Sequence, residues 1–503
     1  LAGVPKINLV NGIISQASGT GSGSAIILDT PRLLMQDGGG VIGASTYTSA
    51  PSGDIVINAP DIQILGSNLF FPSYIATSTS NTGLGGNVTL NTQRLTMRNY
   101  GVIGSRNTGS NTGGNLTVNA TEFVQITAPE PTSQANGLGL PVSAVSPNGS
   151  SGNVTINTGR LVLADGGLIS SSTYGQGSGG TISINATESV DIRGSLLALL
   201  GGSTPQINPS TVRAAAIVLP PGLRQLYELP DRPTGNSGTV IINTPSLNVT
   251  DGAEVSVRND GLGNAGNLNI DADSILLDRE GKITANTFSG QGGNINLQVR
   301  DALILRHGSF TSTTAGNAGN GGNLTINANA LAQLENSDIT ANALQGNGGN
   351  IQISSQGIFR SPDSNITASS ELGVSGVVNI SIFNFNSQNV VFISNHNFVG
   401  EAPVIASSCL TRRNTQQQRF VVTGNGGLPE TPYNAPILYE VAQVRNVGQL
   451  EGRRNQTYQT TNSLPPSYSI QEATGLAFTA DGKLALVANK NQPTSVEDLT
   501  CSI

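Results

Sequence analysis

Tryptophan is absent from this 503-residue chain, aromatics make up 4% of it, and charged residues only 11%, where about 25% is usual. With mean hydropathy near zero, so few charges fit neither a solvated coil nor an ordinary enzyme. Lys and Arg number 24 against 31 Asp and Glu; the resulting −7 repels a phosphate backbone and argues against nucleic acid as a partner. No apolar run reaches the roughly 18 residues of a transmembrane helix, so no such segment is expected. The chain starts at Leu1 without a charged-then-apolar leader, as a mature product or fragment does. Only two histidines and two cysteines are available for chemistry.

What is abundant is glycine, 63 residues, and asparagine, about one residue in ten, and both recur on a fixed period. Gly85-Gly86-Asn87-Val88-Thr89-Leu90-Asn91 returns as Gly113-Gly114-Asn115-Leu116-Thr117-Val118-Asn119 and as Ser151-Gly152-Asn153-Val154-Thr155-Ile156-Asn157. Equivalents of Asn87 fall at Ala25, Asp54, Asn115, Asn153, Thr181, Thr239, Asn267, Asn294, Asn323, Asn350 and Val378, making twelve copies mostly 27 to 29 residues apart. Within a copy, Val88/Leu90, Leu95/Met97 and Val102/Ile103 alternate with polar residues between Gly, Asn and Ser turns, the pattern of three short half-buried strands. Density in Gly, Asn and β-branched residues excludes a helical repeat. The fold class this predicts is all-β: a right-handed parallel β-helix of about twelve coils, roughly 60 Å long at about 4.8 Å per coil.

Each column then has a physical task. Val88, Leu116, Val154, Ile182 and their equivalents point inward as aliphatic ladders, each burial contributing roughly 1.5–3 kcal/mol. Asn91, Asn119, Asn157, Asn185, Asn243 and Asn327 end the first strand in register, where stacked amides bond along the axis and tolerate left-handed backbone. A second turn column reads Asn11-Gly12, Asp37-Gly38, Asp165-Gly166, Asp251-Gly252, Glu280-Gly281 and His307-Gly308, glycine accepting positive φ. Alternate coils resemble each other more than neighbours do, with an offset of 66 residues from Asn87 to Asn153 and from Asn115 to Thr181, which indicates a duplicated two-coil unit.

The repeat is predicted to form a rod over residues 1–386, interrupted by Pro-rich insertions near 127–150 and 195–236. The second insertion carries Leu223, Leu226, Tyr227 and Leu229, read either as a contact surface or as a loop folding back to cover the rod. The chain begins in mid-coil at Leu9 to Ser15, from which further coils upstream are expected, and an open coil end favours edge-to-edge self-association. Residues 387–503 form a separate module with a hairpin from Leu476 to Val487 turning at Asp481-Gly482. It holds Cys409 and Cys501. An even pair in a β-rich chain suits an oxidising compartment, and a bridge between them closes a loop of about 90 residues with roughly 4–5 kcal/mol of stabilisation. Two free buried thiols are the other reading.

Signals for catalysis are weak. His307 occupies a turn slot that Asp fills in other coils, and His396 has no carboxylate nearby in sequence. The outward column Thr89, Thr117, Thr155, Ser183, Ile241, Asn269, Asn296, Thr325 and Gln352 holds none of the acids that polysaccharide-cleaving β-helices need. Asp251, Glu254, Asp278, Glu280, Glu335 and Asp338 gather near the second turn and read as solvated turn residues rather than a cation site. No catalytic residue, metal ligand or cofactor site is therefore assigned.

The Gly-Gly-Asn-x-Thr-x-Asn coils, with the phrasing of Leu161 to Ser170, resemble the filamentous haemagglutinin-like exoproteins of bacterial two-partner secretion across residues 1–386. Ala406 to Arg413, Arg419 to Pro429, and Ala473 to Ala488 are similar to the C-terminal region of that family's photosynthetic-bacterial branch. The resemblance implies export through an outer-membrane partner transporter and display or release at the cell surface. It also implies action as an adhesin or matrix exoprotein on a host-cell, glycan or matrix surface, without catalysis. A structural fibre assembling end to end and, third, a polysaccharide-active enzyme are the alternatives.

Overall fold

The computed structural model describes residues 12–36, 40–66, 73–99, 101–127, 139–198 and 206–383, together with the strands Gly475–Phe478 and Leu484–Val487. Among these residues the chain is a right-handed parallel β-helix of about twelve turns, with one six-residue helix, Pro221–Leu226. Strands starting at Ile26, Ile55, Val88, Leu116, Val154, Ile182, Val240, Leu268, Ile295, Leu324, Ile351 and Val378 stack in that order in one parallel sheet. A second parallel sheet runs from Gly12–Ala17 through Val41–Thr46, Ser73–Thr79 and Gly101–Asn107 to Ile366–Thr367. The three strands per coil read from the pattern are present, two of them usually continuous. Val88–Arg98 contains arms 88–92 and 94–98, whereas an early coil keeps Ile55–Asn58 and Asp61–Leu65 apart.

The ladders stand in the predicted register. Val88, Leu116 and Val154 pair in succession, and Val88, Leu90, Leu95, Met97 and Ile103 are fully buried within one coil. The Gly-Gly-Asn turn is required by close backbone approach: a Cβ on Gly114 would stand 1.7 Å from the carbonyl oxygen of Gly86. Inward hydroxyls secure this corner, Thr77 Oγ1 donating to the Gly86 carbonyl at 2.6 Å and Ser105 Oγ accepting from the Gly114 amide at 3.0 Å.

Asparagine forms two axial ladders. In the first, Asn58, Asn91, Asn119, Asn157, Asn185 and Asn243 each donate a side-chain N–H to the rung before, at 2.6 to 2.9 Å, starting on Asp29. These residues lie within strands and have no positive φ, so the ladder itself, and not tolerance of left-handed backbone, accounts for them. In the second, the Oδ1 atoms of Asn87, Asn115 and Asn153 accept the backbone N–H one coil on, at 2.7 to 3.0 Å, closing donors exposed at the turn.

Three readings need adjustment. The last copy places Val377, not Val378, opposite Asn350, since its amide bonds Asn350 Oδ1 at 3.1 Å; that coil lacks the Gly-Asn marker that fixes the count elsewhere. The positive-φ pair that matches Asp251-Gly252 and His307-Gly308 is Arg279-Glu280, not Glu280-Gly281. Gly281 is instead needed because a Cβ there would meet the Val249 carbonyl at 1.9 Å. The insertions are also narrower: 139–144 is a regular rung, and 195–236 encloses the hairpin of Ser195–Ala198 with Gln206–Pro209, the rung Thr211–Ala216, and a strap over 217–236.

The two-coil unit is visible as structure. Register slips by one residue after Ala120 and again before Ser189, at the extra residues of alternate coils. There Arg94 meets Glu122 and Arg160 meets Glu188, each at 3.4 Å. Gly475–Phe478 and Leu484–Val487 pair antiparallel, as the hairpin reading expects. Cys409, Cys501, His396 and the turn Asp481-Gly482 lie outside the described residues.

Leu116→Ala should cost about 2–5 kcal/mol, whereas Thr117→Ala on the opposite face of the same strand should stay within about 0.5 kcal/mol, measured by urea denaturation. Gly114→Ala should lower the melting temperature sharply. Gly222→Ala, where nothing lies within 4 Å of the new Cβ, should not.

Candidate functional site

Among the described residues, the strap over 217–236 and the charged second-turn column both depart from a plain stack of coils. The strap leaves the rod after Thr211–Ala216 and turns through the helix Pro221–Leu226, whose Pro221 suits a helix start because its missing N–H has no partner there anyway. Tyr227 Oη accepts from Arg106 at 2.5 Å, with the guanidinium 5.2 Å from the ring centroid. Arg106 aligns with Ser143, Ser172 and Ala215 on successive rungs, so the strap crosses three rungs, roughly 14 Å, to reach it. Small residues along that row make room. Ser172 and Ala215 point away from the core yet are fully buried, as is Ser170 within 3%.

Further contacts brace the strap internally and pin its C-terminal end. Arg224 pairs with Asp231 at 2.6 Å, the amide of Thr234 bonds the Gly175 carbonyl at 3.1 Å, and Arg232 donates to the Asp260 carbonyl at 2.7 Å while its guanidinium stacks 3.5 Å over Phe288. On the rung that precedes the strap, Arg213 Nε is out of water without a hydrogen-bond partner; burial lowers the guanidinium pKa, and Tyr174 opposes the shift.

The four residues singled out in the second insertion therefore divide. Tyr227 is committed to the rod and Leu229 is half-buried, which matches a loop folding back, while Leu223 and Leu226 keep 41% and 67% of their surface. Sequence reasoning missed Arg106 and Arg232, the rod-side and strap-side cations that hold the strap. The available signal was an arginine interrupting a row of Ser and Ala.

Five of the six acids of the second turn have partners, and Glu280 is exposed. Asp251 meets Arg279 at 2.5 Å; Asp278 meets Arg279, and His307 Nδ1 at 2.7 Å; Glu335 meets Arg306 and His307 Nε2, both at 3.1 Å. Glu254 accepts from Thr284 at 2.6 Å, and Asp338 accepts the Asn365 amide at 2.8 Å. Asp251 and Glu280 are exposed and the Glu335 side chain keeps 42% of its surface, as the solvated-turn reading expects; the pairing was not legible because residues 27 to 29 apart are axial neighbours, which the linear sequence separates. Bonding from Arg279 holds the Asp251 carboxyl below its ordinary value, with Thr250 adding to it. Among the described residues no group of three or more His, Cys, Asp or Glu is placed to hold a metal ion, and no helix is long and apolar enough to cross a membrane.

Comparison with protein-family models, with curated proteins and with solved structures finds no match for this chain.

Tyr227→Ala should speed tryptic cleavage after Arg224 several-fold without lowering the melting temperature of the rod, and Leu226→Ala should leave the cleavage rate unchanged. Asp251 has a depressed folded pKa, so its stabilisation is complete above the ordinary value of 3.8 and disappears as pH falls through the folded value. Asp251→Asn should accordingly lose under about 1 kcal/mol at neutral pH, with the difference from the parent vanishing in acid, read from melting curves across pH.

Proposed function

We propose that the chain is a β-helical binding rod displayed or released at a bacterial cell surface, an adhesin or matrix exoprotein of the filamentous haemagglutinin-like kind. On this reading a partner transporter in the outer membrane exports it, and it acts on a host-cell, glycan or matrix surface by contact rather than by chemistry. The observation that carries the reading is the axial repetition of side chains: Thr89, Thr117, Thr155 and Ser183 stand in line on successive rungs, an extended hydroxyl face with the amides of the Asn91 ladder beside it. Such a face offers many weak, equal contacts to an extended partner, which suits adhesion by multiplicity. The Gly-Gly-Asn coils and the family-like tail support the same class of function.

A second reading, end-to-end assembly, draws on the apolar residues at the final described coil. Val378 and Ile380 continue the core ladder in register with Ile351 and Ile353 but keep 38% and 43% of their surface. Sedimentation of the full chain separates the two. A monomer that retains cells, glycans or matrix on a surface supports adhesion, and filaments with no such retention support the fibre. Loss of polymer mass on incubation with acidic polysaccharides would overturn both in favour of an enzyme.

A further inference from the structure

The first asparagine ladder does not run the length of the rod. After Asn243 the same position is taken by Asp271, Gln298, Asn327 and Ser354. Asn327 still donates to Gln298 Oε1 at 3.1 Å, but Gln298 Nε2 turns sideways to Asn296 Oδ1 at 2.9 Å. Above Asn327 stands Ser354, whose side chain is too short to continue, so Asn327 Oδ1 accepts no bond from the described residues. Where the ladder fails, the corner between the two arms of these strands opens into a groove of about 490 Å³. That volume lies within the usual range for a small-ligand site. Arg300 borders the groove beside the register slip between Val299 and Ala302, and Phe383, 57% exposed, borders it from the last described rung. Gln356 donates to Asn329 Oδ1 at 3.2 Å, which leaves its own Oε1 unspent in the same groove.

We infer that this groove binds a neutral oligosaccharide lying along the rod axis. The inference rests on the surface-binding reading and gives it a ligand class and a place. Planar amides with unspent acceptors, Asn327 and Gln356, match the paired hydroxyls of a hexose, and the exposed ring of Phe383 offers an apolar face for the C–H side of a pyranose. The rungs advance by about 4.8 Å, a spacing close to that of successive units of a sugar chain, so neighbouring units meet different side chains on successive rungs. Charge selects against acidic polymers: Arg300 is already held by Asp271 at 2.6 Å and by Asp273, leaving one guanidinium against two carboxylates. A peptide strand is disfavoured because Gln298, Val299, Asn327, Ala328, Ser354 and Ser355 of the groove are already paired rung to rung, which leaves no free strand edge to extend.

The test uses the full chain against immobilised maltotriose, cellotriose and mannotriose beside trigalacturonate and heparin oligosaccharides, with surface adhesion measured in parallel. The expected result is binding of at least one neutral trisaccharide, weakened about tenfold or more by Phe383→Ala and by Gln356→Ala, with Gly222→Ala, remote from both the groove and the hydroxyl face, unaffected and circular dichroism unchanged in all three. Binding only to the acidic sugars, or neutral binding that both groove variants leave intact, would overturn the inference. Adhesion that persists without any neutral-sugar binding would sink the groove assignment and leave the adhesive reading standing, while absence of both would remove the two together.

Discussion

Parallel strands stacked one hydrogen bond apart, about 4.8 Å, place every side chain directly over its equivalent one coil away, and the composition follows from that constraint. Glycine is compulsory where two turns approach as closely as Gly86 and Gly114 do. Asparagine is favoured because one amide both donates to the rung before and accepts from the rung after, as Asn91 and Asn119 do. Charge is scarce because like charges in register repel. Where charge occurs it alternates in sign along the axis, as in Arg94 over Glu122 and Asp251 over Arg279. The low charge content that sets this sequence apart is thus a packing rule expressed as composition.

The coils were legible because each is marked by the same obligatory residues. Counting from Gly-Gly-Asn places Val88, Leu116 and Val154 in their true register, and it slips by one residue only at Val377, where the marker is missing. The second turn was less legible, since two consecutive left-handed residues can be met by Asp251-Gly252 or, at a cost of about 1–2 kcal/mol per residue, by Arg279-Glu280. A search for glycine therefore settles on Gly281, one place too far. Contacts between columns were hidden altogether. Nothing in the order of residues announces that His307 sits between Asp278 and Glu335, or that Tyr227 returns to Arg106, because those distances are set by the coil and by the path of the strap.

The strap and the groove are two outcomes of one circumstance. A regular coil satisfies its own hydrogen bonds and leaves its faces flat, so relief appears only where the repeat is interrupted. An inserted segment over the Ser172 and Ala215 row is held by arginine and covers the sheet; a broken amide ladder above Asn327 exposes polar groups and leaves a hollow. The uninterrupted faces supply reach, and the interruptions supply shape.

The duplicated pair of coils has a consequence for how such a rod changes over generations. Arg94 with Glu122 and Arg160 with Glu188 are complete within their own units, and the slipped registers at their corners recur with them. A recombination event that adds or deletes one such unit therefore keeps the Arg–Glu pair of each unit whole and leaves each junction between coils of a familiar kind. Length becomes a quantity that inheritance can adjust in discrete steps, independently of the hollows and straps that give individual coils their identity.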